Sequence, residues 1–225
     1  MSFATAKTDT KSLEQSSGSK FITKSGLYPV TILAPFVSVG KNGAQTVDLF
    51  VEYEEKAQTI YGKMSLTNND GKPNEIGAKI FNQLLVVSGV DDVADPVDME
   101  LPIGKKGADK EVAVLEDLQD ISCFLEIQMT YNIWNNSIQE NSIIRGFYRE
   151  DKASAAEVVN ETEVGVQFAK QEAYASNDYL QDGLTPEQVA EWIKAKRPKN
   201  TANGGGSASA ASAPSFGKKR AFGAK

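Results

Sequence analysis

The chain has 225 residues, of which 40% are hydrophobic and 24% charged, with a formal charge of −6 and no histidine; that balance fits a globular body with room for extensions. The missing histidines exclude Ser-His-Asp and Cys-His nucleophilic catalysis and imidazole metal ligands, and the single cysteine, Cys123, excludes an internal disulfide and a cysteine-rich zinc site. No apolar run approaches the ~20 residues that cross a bilayer, and residues 1–20 lack the apolar centre of a secretion signal, so an intracellular protein is expected.

The charge is unevenly placed. Residues 1–25 carry four basic and two acidic side chains, residues 26–150 ten and nineteen, and residues 151–193 two and nine, for net charges of +2, −9 and −7. Residues 194–225 carry eight basic side chains and no acidic one, a net +8. A basic end on an acidic body points to a tail that meets a polyanion or folds back onto its own body.

Residues 1–25, rich in Ser, Thr and Lys without an apolar period, read as a flexible arm. A dense β pattern follows. Residues 27–39 form a first strand, and Gly40-Lys41-Asn42-Gly43 turns the chain. In the second, 46–55, Val47, Leu49, Val51 and Tyr53 alternate with Asp48, Phe50 and Glu52. In the third, 58–67, Ile60, Gly62, Met64 and Leu66 alternate with Thr59, Tyr61, Lys63 and Ser65, before the turn at Asn68-Asn69-Asp70-Gly71.

The period then changes to that of a helix: residues 75–87 put Ile76, Ile80, Phe81, Leu84 and Val87 on one face. A loop of about thirty residues comes next, with an acidic stretch at 91–100 and the basic Gly104-Lys105-Lys106-Gly107. Strand character returns in 121–134, where Cys123, Leu125, Ile127, Met129 and Tyr131 alternate with Ser122, Phe124, Glu126, Gln128 and Thr130. Asn135-Asn136-Ser137 turns the chain into a last strand, 141–150.

The order β-β-β-α-β-β over residues 26–150 predicts a mainly β protein, an OB-fold-like five-stranded barrel with its helix between the third and fourth strands. The competing architecture is an antiparallel sheet with one packing helix; the barrel is preferred because closure removes the edges. Residues 151–198 read as an acidic helical extension, in which Thr185, Pro186 and Gln188 give a capping-box helix start and Val189, Trp192 and Ile193 share a face. That helix is expected to dock on its own barrel. Residues 199–225 are a Gly/Ser/Ala linker and basic tail ending Phe216-Gly217-Lys218-Lys219-Arg220-Ala221-Phe222.

The informative residues are aromatic and basic side chains in the polar phase of the strands. Phe50, Tyr61 and Lys63 fall on the outward face of the second and third strands, the nucleic-acid platform of an OB-fold. Phe124 and Trp134 are in the polar phase of the fourth strand, and alternation groups Arg145, Phe147 and Arg149 on the fifth. Rings interleaved with cations suit single-stranded nucleic acid, since bases stack for about 1–3 kcal/mol each and cations neutralise the phosphates between them. Lys105 and Lys106 of the loop, and Lys218, Lys219 and Arg220 of the tail, add charge to such a surface. The acidic body works against phosphate unless Asp48, Glu52, Glu126 and Glu140 lie away from the groove.

Other chemistries fit less well. Asp91, Asp92, Asp95, Asp98 and Glu100 lack the spacing of an EF-hand, and a solvated acidic loop is the plainer reading. Asp48 with Glu54-Glu55-Lys56 is a weak echo of the acid-acid-lysine set of metal-dependent nucleases. Neither a G-x-x-x-x-G-K-[ST] nor a G-x-G-x-x-G loop occurs, which disfavours an ATPase or a dinucleotide enzyme, and no cofactor is expected.

Four stretches, Gly26-Leu27-Tyr28-Pro29-Val30-Thr31-Ile32, Leu84-Leu85-Val86-Val87-Ser88-Gly89-Val90, Tyr131-Asn132-Ile133-Trp134 and Phe216-Gly217-Lys218-Lys219, together resemble phage-encoded single-stranded-DNA-binding proteins. More narrowly they are similar to the Drc type of lytic phages that carry a large virion RNA polymerase. The resemblance spans roughly two-thirds of the chain, and its motifs are soft. It implies a non-enzymatic OB-fold that coats single strands in the host cytoplasm during replication or transcription, as a homo-oligomer, with a phage RNA or DNA polymerase as candidate partner. DNA against RNA preference stays open. The basic end departs from the acidic, partner-recruiting tail common among single-strand binders. The alternative function is an OB-like interaction module that recruits a polymerase or recombinase and touches nucleic acid only through the tail.

Overall fold

The computed structural model describes residues 21–104 and 107–196, the Lys63 side chain excepted. In chain order the elements are β1 (Gly26–Val39), β2 (Gln45–Tyr53), β3 (Lys56–Ser65), α1 (Glu75–Ser88), β4 (Val97–Leu101), β5 (Lys110–Val114), β6 (Ile121–Trp134), β7 (Ser137–Arg149), α2 (Ala155–Asn160), α3 (Val166–Glu172), β8 (Tyr179–Leu180) and α4 (Pro186–Lys196). The five long strands and α1 lie where periodicity and turn residues predict them. The expected long loop instead contains the β4–β5 hairpin. Among the described residues no helix is long and apolar enough to cross a membrane.

β1 is the axis of the sheet. One edge pairs with β2 from Thr31 to Val39; the other is shared, with Gly26–Ile32 pairing antiparallel to β6 and Phe36–Val37 pairing to β5. Leu33 is the extra residue of a bulge at this handover. Pro35 sits beside it, and its carbonyl accepts the Leu115 N–H at 2.9 Å. A residue's N–H and C=O point to the same edge of a strand, so the donor that proline lacks falls in the gap between β6 and β5 and removes nothing from the β2 ladder.

The sheet is open, which corrects the expected barrel. Its path runs β3-β2-β1-β5-β4, with β6, β7 and β8 joined through β6, and among the described residues no ladder connects β3 to β7. α1 lies across that gap. Asn74 caps its start by accepting the Gly77 N–H at 3.0 Å, and Gly77 rests against the end of β3. A Cβ on Gly77 would come within 1.8 Å of the Ser65 carbonyl oxygen, so only glycine permits the approach. Leu84 and Val87 of α1 enter the main core with Val30, Ile32, Leu49, Met64, Leu125, Ile127 and Phe147. Ile76, expected on the same apolar face, is 75% exposed: at the helix start the face turned to the sheet is that of Gly77, one residue further on.

A second, smaller core lies on the other side of β1 and β2. Ala34, Phe36 and Phe50 are covered by Leu101 of β4 and Val114 of β5. Arm residues 21–25 pack on the body: Ile22 donates its N–H to Gln58, and Ser25 donates to Asp178 while accepting the Met129 N–H at 2.8 Å. Residues 1–20 and 197–225, which hold most of the arm and the linker and tail, lie outside the described residues.

Replacing Gly77 with Ala drives a methyl into β3 backbone. Gly77→Ala is therefore expected to lower stability by about 3 kcal/mol, read as an earlier chemical-denaturation midpoint; an unchanged midpoint would show that α1 does not seat on Ser65.

Candidate nucleic-acid interface

Tyr61 of β3 is 48% exposed. Its ring edge meets the buried Phe36 ring at 6.2 Å, and its hydroxyl donates to the Ile103 carbonyl at 3.2 Å. That bond ties the outer face of β3 to the chain segment that leads into Gly104-Lys105-Lys106-Gly107. Lys63, expected on the same face, lies in the irregular stretch of β3 between Ile60 and Met64, and its side chain is outside the described residues. Lys105 and Lys106 lie outside the described residues, as do Lys218, Lys219 and Arg220 of the tail.

Trp134 ends β6 and is 66% exposed. The hairpin beneath it is fully laddered up to the Trp134–Ser137 pair. Asn135 and Asn136, at φ 50° and 59°, make a two-residue turn with both positions left-handed, which asparagine tolerates well. The chain around β8 braces this tip, since Asp182 accepts the Ile133 N–H at 2.8 Å and Gln181 donates to the Tyr131 carbonyl at 2.9 Å. Arg145 is exposed as well. It is the extra residue of a bulge in β7, because Gly146 pairs with Glu126 and Ile144 with the adjoining Ile127.

Four of the expected contacts are used elsewhere. Phe50 does lie on the outward side of β2, yet the β4–β5 hairpin covers it and leaves it 8% exposed. Phe147 is 2% exposed in the main core opposite Leu125. The bulge at Arg145 shifts the alternation by one residue and turns the Phe147 ring inward. Phe124 is half-buried, with its ring edge-on to Phe168 of α3 at 4.9 Å. Arg149 is exposed but grips Asp151 through two guanidinium nitrogens, Nε at 3.0 Å, and holds that carboxyl below the ordinary carboxylate range.

The acidic side chains are also partly accounted for. Asp48 is buried and accepts the Ser38 hydroxyl at 2.6 Å, far in environment from the exposed Glu54 and Glu55 of the β2–β3 turn, so the nuclease-like set is not assembled. Glu126 is buried and accepts from Tyr148 at 3.1 Å and Gln171 at 2.7 Å. Glu140 accepts from Tyr131 and from Lys196 of α4, whose ammonium also lies 4.3 Å from the Trp192 ring centroid. Trp192 in turn meets Tyr131 edge-on, so α4 docks on its own chain as expected. Among the described residues no group of three or more Asp, Glu or Cys is placed to hold a metal ion.

Burial pushes the Cys123 thiol up to about 12, so it carries no thiolate chemistry at neutral pH. A depression of about 350 Å³ between β1, β2 and β6 is walled by Glu52, Glu54 and Glu150 and has no cation in its lining. Phosphate is repelled there. Among the described residues, those of the expected surface that remain exposed and uncommitted are Tyr61, Trp134 at the hairpin tip, and Arg145. Sequence reasoning missed Lys79, which lines the same groove as Arg145; its signal was a cation in the polar phase of an otherwise apolar helix.

No protein-family model matches the chain, and no curated protein matches it.

The cover over Phe124 depends on a charged hub. Glu157 closes a capping box with Ser154 and also accepts the N–H groups of Gly165 and Gln167, the latter at 2.7 Å. Burial pushes its carboxyl up, but these bonds to the ionised form outweigh it and leave the group below its ordinary value. A lowered folded-state value stabilises above the unfolded value of about 4.3 and is lost as pH falls through the folded one. Acidification below about pH 4 is thus expected to loosen α2 and α3 from the sheet, seen as a change in near-ultraviolet circular dichroism that Glu157→Gln removes. An identical acid limb in the variant would discard Glu157 as the hub.

Proposed function

We propose that the protein is a non-enzymatic, sequence-tolerant binder of single-stranded DNA. The observation that carries this reading is the Tyr61–Ile103 hydrogen bond, which ties a half-exposed ring on β3 to the stretch of chain that leads into Lys105 and Lys106. A ring among lysines supplies both parts of single-strand binding, a stacking surface and phosphate neutralisation. Trp134 offers a second ring on a stiff support. The order of the long strands and α1 supports the reading too, as that of an OB-fold opened along the β3–β7 seam. On this reading the protein acts in the cytoplasm of a phage-infected cell, where coating a strand favours several copies working together, in the company of a phage polymerase.

A second reading is favoured by the packing of Phe50, Phe124 and Phe147, which leaves fewer rings for bases than the sequence promised. In it the body recruits a protein, and only the basic tail meets nucleic acid.

Titration with an unlabelled dT oligonucleotide, followed by tryptophan fluorescence, tests the first reading. Salt-sensitive, saturable quenching that persists in Trp192→Phe and disappears in Trp134→Phe is expected. With about four phosphates neutralised, log K falls with log salt at a slope near −3. Tyr61→Ala weakens binding by about 1–3 kcal/mol without unfolding the protein. A flat titration at low salt would sink the reading.

Removing residues 199–225 separates the two readings. Oligonucleotide binding that survives the truncation with a shallower salt slope supports the body as the binding surface; its complete loss hands the body to a protein partner.

A further inference from the structure

We infer that the groove between α1 and β7 is a docking site for an extended acidic peptide with apolar side chains on its other face. The groove encloses about 540 Å³ and is lined by Ile76, Lys79, Ile80 and Gln83 of α1 and by Ile143, Ile144 and Arg145 of β7.

Three separate observations define the occupant. The first is the backbone. All ladder pairs of β7 are with β6, and among the described residues no strand uses the opposite edge. An unpaired edge is a template for one more strand. From Ile76 to Gln83 the helix rises about 10 Å, which an extended chain covers in roughly three residues, so the groove and the Ile143–Arg145 edge match in length.

The second is the floor. Ile76, three-quarters exposed, contributes with Ile80 and Ile143 an aliphatic surface with no aromatic ring. Aliphatic side chains of a peptide fill such a floor, whereas nucleic-acid bases seek ring faces.

The third is charge. Residues 26–193 carry twelve basic and twenty-eight acidic side chains, yet both charged groups lining this groove are cations, Lys79 and Arg145. The bulge makes Arg145 the unpaired residue of its strand and so aims it outward at the rim. Cations on the rim, an apolar floor and a free strand edge together select a strand that alternates carboxylates with aliphatic residues. This site shares Arg145 with the residues left from the expected nucleic-acid surface but involves neither Tyr61 nor Trp134, on which the single-strand reading rests.

Fluorescence anisotropy of the full chain with a fluorescein-labelled peptide alternating glutamate with valine is the test. Saturable binding at low salt is expected, weakened about tenfold or more in Lys79→Glu/Arg145→Glu, with no binding of a lysine–valine control. Amide exchange of residues 143–146 slows on adding the peptide, and methylating alternate peptide nitrogens removes that protection. Absence of peptide binding, affinity unchanged by charge reversal, or unaltered exchange at 143–146 each overturns the inference. So does loss of dT binding, without any peptide binding, in the same variant, which assigns the groove to nucleic acid. Protection of 143–146 that needs no peptide and fades on dilution assigns it to a second copy and overturns the inference too.

Discussion

An open sheet must dispose of its edges, and here the solution rests on how closely α1 lies on the backbone of β3. With any side chain at position 77 the helix would stand off from Ser65, and the gap between β3 and β7 would open the main core to water. The helix replaces the strand-to-strand closure of a barrel with a side-chain seal, Leu84 and Val87 filling what a β3–β7 ladder would have joined. The remaining edges are treated differently. Residues 21–22 run beside β3 through the Gln58 side chain, while the β4–β5 hairpin ends the other wing with Glu100 opposite Glu111, two like charges that discourage further pairing. Among the described residues the middle of β7 is left without a strand on its second edge, and Ile76, Ile80 and Ile143 line the groove beside it.

The outward aromatic residues show the same division of labour. On a sheet with one solvated face they would be free, but two further layers cover much of that face. The β4–β5 hairpin covers Phe36 and Phe50, and α3 covers Phe124 and Tyr148 with the edge of Phe168, over which the Lys152 ammonium sits at 4.8 Å. Buried beneath, Glu126 satisfies its charge with Tyr148 and Gln171, and that burial with the neighbouring carboxylate raises the Tyr148 hydroxyl far above its usual value. Of the rings expected to meet bases, Tyr61 and Trp134 escape both covers, one tied to the stretch that leads into the loop lysines and the other on the hairpin tip.

Long elements with a clean period were legible from the sequence. β6 was readable to the residue, since its alternation is uninterrupted, and α1 was announced by a change of period between two turns. β4 carried a signal that its charge concealed: Val97, Met99 and Leu101 alternate with Asp98 and Glu100, and the acidic content made the stretch look like loop. Missing that hairpin is what left Phe50 looking exposed. The error at Phe147 has a different origin: the only sign of the bulge is the lone Gly146 inside a strand, and one inserted residue reverses the faces beyond it. Periodicity alone also puts Ile76 in the core, but it does not show that the first turn seats on the sheet through Gly77 and leaves the neighbouring Ile76 exposed.

The handover along β1 also sets an order of events for a growing chain. Val39 meets Gln45 across a short turn, whereas Gly26 meets Ile127, roughly a hundred residues later. During synthesis the β1–β2–β3 meander closes early, and the first half of β1, with Val30 and Ile32 that end in the core, waits for β6 to emerge. Such non-local pairing is slow and leaves a sticky edge waiting for its partner. Pro29 stands in the middle of that waiting stretch and offers no N–H to a stray strand. A residue that looks out of place in a central strand thus guards the nascent chain during the interval when misassembly is easiest.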